Sequence, residues 1–444
     1  MHESRISGAR VGRIYTPHGA VDTPGFVPVA TNGAIKGMEF RTLDGDRDRD
    51  DTRREGGDED GAGGQSDGGS TTGRSSGRRG QLVFCNTYHL MIHPGAEVIG
   101  NAGGIHEFTG RRDGGPFITD SGGFQVFSLQ HGSVQDDRNS EGFGGEGDGR
   151  VRPSSELKRA RERGAKRAGW REGASGPDAV KVTEEGVSFR SYRDGSKILL
   201  TPEGTVRAQK LIGADIIVPL DELPPHHIDR PGLEESVERS HRWEARSLME
   251  HLGDVRDQAM YAVVHGGTDR ELRARSVRYL TSLPFDGYAI GGSLGNDREG
   301  LRELLRWTMP LFSDGDDNDE RGRVESKPRH LLGIGDEESV RFGSAMGVDT
   351  FDSCYPTRLG RHGTLLTRSE GLIRIKRAKH ARSYGMPIDE GCQCRTCRHY
   401  DRAYLCHLFK ANEPLGVMLG VEHNLHYMAQ LMTGIREDIL EGKI

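Results

Sequence analysis

Short apolar runs, each closed by a glycine or a polar corner, alternate with amphipathic stretches through the second half of the chain. The runs Asp215–Glu222, Met260–Gly267, Gly287–Gly292 and His330–Gly335 read as buried strands, and Ala345–Phe351 reads as another that delivers Asp352 at its end. Between them, the spacing of apolar positions predicts helices over Leu233–Leu252, Arg270–Leu283, Leu301–Phe312 and Glu337–Met346. The first half adds strands at Thr23–Thr31, at Gln81–Leu90 running into a loop, and at Pro116–Asp120, followed by a helix over Pro202–Ile212. Val187–Ser191, with the turn residues Asp194-Gly195-Ser196 after it, reads as a hairpin. Eight strands alternating with helices, with polar residues and glycines at the strand C-termini, predict an α/β chain folded as a (β/α)8 barrel of the TIM type with its site at that end. A doubly wound open sheet is the structural alternative, but no Gly-x-Gly-x-x-Gly opens an early helix.

Three hydrophilic stretches interrupt this pattern, at 44–80, 131–178 and 313–326. The first is Gly, Asp, Arg and Ser with almost nothing to bury, so disorder is expected there. The second turns basic (Lys158, Arg159, Arg161, Arg163, Lys166, Arg167, Arg171) and reads as a solvated helix, with contact to nucleic acid as the other reading. These stretches explain how a 444-residue chain of only 33% hydrophobic residues still has a core to build. The formal net charge of -6 gives no global reason to bind nucleic acid, so any such binding needs a local basic face. No apolar run approaches the length of a membrane span and Met1–Arg13 lacks the apolar core of a signal peptide, so a soluble, cytoplasmic protein is expected.

Candidate chemistry falls in two places. Cys392-x-Cys394-x-x-Cys397 offers three soft ligands at a spacing that wraps one tetrahedral ion, with His399, Cys406, His407, His423 and His426 as candidates for the fourth. Four protein ligands make a structural zinc rather than a catalytic one, and the barrel is expected over 1–385 with a small zinc-binding subdomain and C-terminal helix over 386–444. Asp120, Asp221 and Asp352 each end a strand run. Singly they read as caps for the following helix, but gathered at one end of a barrel they suit substitution at a sugar carbon, one as nucleophile and one as proton donor. A retaining glycoside hydrolase fits that set. Arg358, Arg361, Arg374, Lys376, Arg377, Lys379 and Arg382 add a basic surface that suits phosphates, or else a solvated basic helix. His265 reads either as a base or as a packed histidine, and Cys85 and Cys354 as small buried hydrophobes.

With these residues assembled, the chain resembles the tRNA-guanine transglycosylases of the queuine type. The likeness rests on Asn86-Thr87-Tyr88-His89-Leu90, Asp120-Ser121-Gly122-Gly123-Phe124-Gln125-Val126-Phe127-Ser128-Leu129, Glu185–Arg190 with its Asp-Gly-Ser turn, Gly291-Gly292, Asp352 with Pro356-Thr357-Arg358, and the cysteine triplet followed by His423-Asn424. It covers nearly everything outside the three hydrophilic stretches. It implies exchange of the wobble guanine of certain tRNAs for queuine or 7-aminomethyl-7-deazaguanine (preQ1). Asp352 would be the nucleophile at ribose C1′ and Asp120 the general acid/base. Asp221, His265, Gly292 and Gly295 would line the base pocket, with the target nucleotide swung out of its strand. Arg358 and Arg361 would hold the anticodon loop, and His423 would complete the zinc site. The resemblance also implies a homodimer formed through the zinc-bearing region.

Three departures from the family pattern stand out. His265 occupies a place where glutamine is common, so a weakened or pH-dependent contact to the purine is expected there. Gly295 stands where users of the aminomethyl base carry valine, and the missing side chain favours queuine. The hydrophilic stretches are not part of the pattern. The rival from another class is a non-catalytic tRNA-binding partner of a heterodimer, which keeps the fold but loses the catalytic carboxylates, whereas Asp120 and Asp352 are both present. An archaeal-type enzyme would be expected to carry a further RNA-binding domain after residue 444.

Overall fold

The computed structural model describes residues 2–4, 6–44, 80–112, 114–124, 180–191, 193–224, 228–295, 297–313 and 324–444. The expectations for 44–80 and 131–178, and for most of 313–326, fall outside these residues.

Eight parallel strands form one sheet: β1 (Gly25–Pro28), β2 (Val83–Asn86), β3 (Phe117–Asp120), β4 (Ile216–Ile217), β5 (Ala259–Val264), β6 (Gly287–Ile290), β7 (Arg329–Leu331) and β8 (Thr350–Ser353). Their order around the sheet is 1-8-7-6-5-4-3-2, and a parallel bridge from Val29 to Phe84 brings the two edge strands together into a nearly closed barrel. The α/β barrel expected from the alternating pattern is therefore the fold.

The period-two alternation of a strand divides the core. Phe84, Ile118, Ile216, Tyr261, Val263 and Ala289 fill the barrel interior as one cluster. Their neighbours Val83, Cys85, Phe117, Ile217, Met260, Val264 and Ile290 face outward, into a larger cluster shared with the helices. The helices used below are α1 (Thr87–Ile92), α2 (Pro202–Ile212), α3 (Arg230–Gly253), α4 (Arg270–Thr281), α5 (Arg298–Thr308), α6 (Glu337–Ala345), α7 (Tyr355–His362) and α8 (Pro414–Leu440). A three-stranded antiparallel sheet holds the expected hairpin, Val187–Arg190 against Lys197–Leu200.

Several boundaries differ from the pattern's reading. Thr87–Leu90 is not a loop: the Asn86 side chain accepts from the His89 N–H and caps a helix that starts at once. Ala345 closes α6, and the last strand begins only at Thr350, after Gly347 turns the chain at φ +90. Pro356 sits in the first turn of α7, where its missing N–H has no partner to lose. β4 pairs over two residues only, because the Gln209 side chain takes over Val218, donating to its carbonyl at 2.9 Å and accepting from its N–H at 3.1 Å. Cys85 is buried as expected, whereas Cys354 is only half-buried.

Two buried carboxylates close the N-terminal end of the barrel. Asp349 accepts both arms of the Arg10 guanidinium and the Arg329 N–H. Asp215 accepts from the Phe117 N–H at 2.9 Å and the His18 N–H at 3.3 Å, with His18 Nδ1 at 2.8 Å and His106 Nε2 at 3.2 Å. The two imidazoles stack face to face at 3.4 Å, and with Asp215 they form a second cluster of possible metal ligands.

Candidate active site and metal centre

The C-terminal ends of the strands gather the carboxylates. Asp352, third residue of β8, is buried, and its Oδ1 accepts from the Gly333 N–H at 2.9 Å. His330 Nε2 lies 3.2 Å from the same oxygen, and its Nδ1 lies 2.8 Å from the Thr350 hydroxyl. A carboxylate only accepts, so Nε2 is the nitrogen that donates to Asp352, and Nδ1 is the one that meets the threonine hydroxyl. That holds Asp352 by one oxygen. Asp120 ends β3 and accepts from Asn86 Nδ2 at 2.6 Å and from the Thr87 N–H at 2.9 Å. Asn86 thus caps α1 and orients Asp120 at once.

Asp221 follows β4. The turn after Asp120 packs directly on it: Ser121 Oγ is 3.4 Å from Asp221 Oδ1, and a Cβ at Gly123 would come within 2.8 Å of the Asp221 carbonyl oxygen. Close approach is the reason for glycine there. Burial, with so weak a donor set, pushes the Asp221 carboxyl up to about 7.

His265, at the end of β5, is buried, with Nε2 3.3 Å from Asp221 Oδ2 and 3.7 Å from Glu244 Oε1 of α3. Burial, with His241 and Arg273 adding to it, lowers its pKa to about 3, so the ring is neutral across the physiological range. Its own charge is therefore no source of pH-dependence. Gly292, at φ +74, lies beside the ring: a Cβ there would be 3.7 Å from His265 Nδ1. Arg273 of α4, fully buried, donates to the carbonyls of Val264, Gly267, Gly291 and Ser293, fastening the loops after β5 and β6 to each other. A cavity of about 100 Å³ opens against these loops, lined by His265, Gly267, Thr268, Gly292, Ser293 and the α3 residue Val237, among others. Gly295 has φ +96, and a Cβ on it would meet Gly300 backbone atoms at 2.8 Å and 3.0 Å.

Arg358 and Arg361 lie on α7, directly after Asp352, and both are half-buried. Arg374, Lys376, Arg377, Lys379 and Arg382 are exposed on the hairpin and turn that follow.

The cysteine triplet and His423 converge. Their ligand atoms all lie within 4.8 Å of one another, and His423 Nδ1 is 3.9, 3.5 and 3.3 Å from the sulfurs of Cys392, Cys394 and Cys397. A tetrahedral ion bound by thiolates has ligand edges of about 3.8 Å, so these four fit one metal ion. His423 Nε2 lies 2.7 Å from the Leu366 carbonyl oxygen, a bond that puts the proton on Nε2 and leaves Nδ1 as the ligand. Of the other candidates, Cys406 is packed in an apolar cluster with Leu405 and Phe409.

Four residues of the site took no role from the sequence: Asn86, which appeared there only inside the Asn86–Leu90 run, and Glu244, Arg273 and His330. Glu244 and Arg273 left one trace, being charged residues on the buried faces of α3 and α4. For Asn86 and His330, whose roles depend on neighbouring strands, no local pattern carries a signal.

A barrel whose strand ends hold paired carboxylates, next to a basic face and a Cys3His cluster, defines a class: glycosyl-transferring barrels with a metal-bearing appendage. The family model for queuine tRNA-ribosyltransferase matches residues 5–48, 75–150 and 172–444. Proteins described as queuine tRNA-ribosyltransferase are similar over the whole of this chain: that of Protochlamydia amoebophila is 46% identical, with 95% of its own length covered, and that of Chlamydia pneumoniae is 42% identical, with 98% covered. A Chlamydia muridarum relative is 41% identical with 98% covered. The chain belongs to the queuine tRNA-ribosyltransferase family. The family match runs through 131–150 and 313–326, which the sequence pattern had set aside as foreign, and leaves out 49–74 and 151–171.

Proposed function

We propose that this protein is a tRNA-guanine transglycosylase that exchanges the wobble guanine of a tRNA for a 7-deazaguanine base by double displacement. The observation that carries the reading is the placement of Asp352 and Asp120 on barrel strands at one end, each held by fixed donors and each presented next to a glycine-rich loop. An Asp352 oxygen attacks ribose C1′, the C1′–N9 bond breaks, and Asp120 gives the departing guanine its proton. The incoming base then attacks C1′ through its own N9 as the Asp352–C1′ bond breaks and frees the carboxylate, and it returns its N9 proton to Asp120, with overall retention. Asp221 accepts from the donor edge of the purine, and the Gly292 N–H and His265 face its carbonyl. Arg358 and Arg361 lie one helix away from the nucleophile, and with the exposed basic residues from Arg374 to Arg382 they form the face for the anticodon arm.

The ion we assign to the Cys3His set is zinc, in a structural role, since all four positions are taken by protein. The exposed apolar side chains of Leu372, Tyr384, Met386, Tyr404 and Met418 gather in this part of the chain and support a homodimer formed there. No helix among the described residues is long and apolar enough to cross a membrane, and the cytoplasm is where such a tRNA substrate is met. For the incoming base we favour queuine over the aminomethyl form. Only a glycine takes the positive φ of residue 295 against Gly300, so this loop follows a course closed to a side chain.

The test is exchange of labelled guanine into a tRNA bearing a wobble guanosine, with queuine and 7-aminomethyl-7-deazaguanine as competitors. Exchange, with queuine the better competitor, is the expected result. A metal-loaded protein that binds tRNA but exchanges nothing would favour the non-catalytic partner reading instead.

A further inference from the structure

Glu244 has no place in the exchange chemistry just described, yet it is a carboxyl with no solvent exposure beside the base pocket. Its Oε2 accepts from the Val263 N–H at 3.0 Å. Its Oε1 has no hydrogen-bond partner among the described residues, and neither has His265 Nε2, which lies 3.7 Å away. The other group in reach of Nε2 is Asp221 Oδ2, at 3.3 Å. The remaining charged or titratable neighbours are His241 on α3 and Arg273 and Tyr279 on α4. Arg273 is taken up by carbonyl oxygens, and His241 is joined to Ser276, whose hydroxyl oxygen also accepts the His265 N–H. The far side of the ring, Nδ1, faces Gly292.

We propose that Glu244 is a positioning residue for base recognition: its carboxylic acid donates to His265 Nε2 and holds the ring in the tautomer whose Nδ1–H faces Gly292 and the base. The inference rests on the base-exchange reading, with Asp221 and Gly292 at the purine. A neutral imidazole has one donor and one acceptor nitrogen, and the group at one nitrogen decides what the other presents. An acid at Nε2 makes Nδ1 a donor, so that it and the Gly292 N–H together meet the two lone pairs of a purine carbonyl. A carboxylate at Nε2 would turn Nδ1 into an acceptor and set it against that carbonyl. Burial raises the Glu244 carboxyl well above its ordinary range, with Asp221 adding to the effect, which favours the acid form that the unpartnered Oε1 and Nε2 call for. When a base draws Asp221 to its donor edge, Glu244 is left as the partner of Nε2, and the gap closes as such bonds do on substrate binding.

The experiment measures KM and kcat for guanine exchange by the full metal-loaded chain from about pH 6 to about pH 9.5. For the wild type, KM rises about tenfold on the alkaline side as Glu244 ionises. Glu244→Gln loses that rise, because its amide donates to Nε2 at every pH while its carbonyl still accepts the Val263 N–H. Glu244→Leu raises KM about tenfold at all pH with kcat changed less than about threefold, and adding His265→Gln cancels the dependence on residue 244. Nitrogen-15 histidine spectra, with the His265 signal identified by its loss in His265→Gln, show the Nδ1–H tautomer in the wild type whether or not Glu244→Leu folds. An alkaline rise that persists in Glu244→Gln, a loss confined to kcat, or an Nε2–H tautomer overturns the proposal. A wild type that exchanges no guanine instead overturns the base-exchange reading on which it rests.

Discussion

The two ends of the barrel bury the same kind of group and treat it in opposite ways. At the N-terminal end, Asp215 accepts from the Phe117 N–H on one oxygen and from His18 on the other, with His106 close beside it, and these hold it well below the usual carboxylate range despite its burial. Asp349 is likewise enclosed by Arg10 and a backbone N–H. At the C-terminal end, Asp221 has one serine at 3.4 Å and is pushed up to about 7, and Glu244 lies within a short distance of His265 without bonding it. A saturated carboxylate fastens strands and has nothing left to offer a ligand. An undersupplied one costs stability and keeps its lone pairs for a substrate.

The sharpest way to break this contrast is to remove one carboxylate from each end. Asp352→Asn should lower guanine exchange about 10⁴-fold and abolish the covalent RNA adduct, with tRNA binding and the melting temperature little changed. A persistent adduct would take the nucleophile assignment away from Asp352. Asp215→Asn should do the reverse, costing about 3 kcal/mol in denaturant unfolding while leaving exchange per folded molecule intact. If it instead slows exchange without loss of stability, the division between the two ends fails. The smallest effect belongs to Asp221. A carboxyl raised in the folded state binds its proton more tightly there than in the unfolded chain. Stability is therefore lost as pH rises from the unfolded value near 4 to about 7. Asp221→Asn removes that loss and should gain about 1–3 kcal/mol at pH 8, with no gain at pH 4 and a higher KM for the base. An equal shift at both pH values would mean that Asp221 is no less well supplied than Asp215.

Much of this was legible because it repeats. Strand and helix periods named the barrel, and strand-end position drew attention to Asp120, Asp221 and Asp352 before any neighbour was known. The cysteine triplet pointed to a metal site through its spacing; spacing alone left the fourth ligand open, the family resemblance supplied His423, and α8 brings that residue to the triplet. What stayed hidden has no period. His330 matters because Thr350 and Asp352 flank it on the next strand, and Asn86 because it stands opposite Asp120 in the register. Glu244 sat in an amphipathic helix where a charge on the inner face was the single clue, and the pairing that gives it meaning spans three elements. The early start placed on the last strand has the same origin, since an apolar run does not show where Gly347 turns it.

α8 ties the whole arrangement together like a tie-rod. The first half of its 27 residues supplies His423 to the metal set, and the adjacent Asn424 grips the Pro356 and Thr364 carbonyls, at the two ends of the helix that follows Asp352. Further along, Tyr427 bonds Glu337 of α6, and Arg436 donates to the Pro24 carbonyl just before β1. An ion held by the Cys3His set would thus tension the segment that follows Asp352, and slackening that rod would be felt first as lost alignment at Asp352, with the barrel still standing.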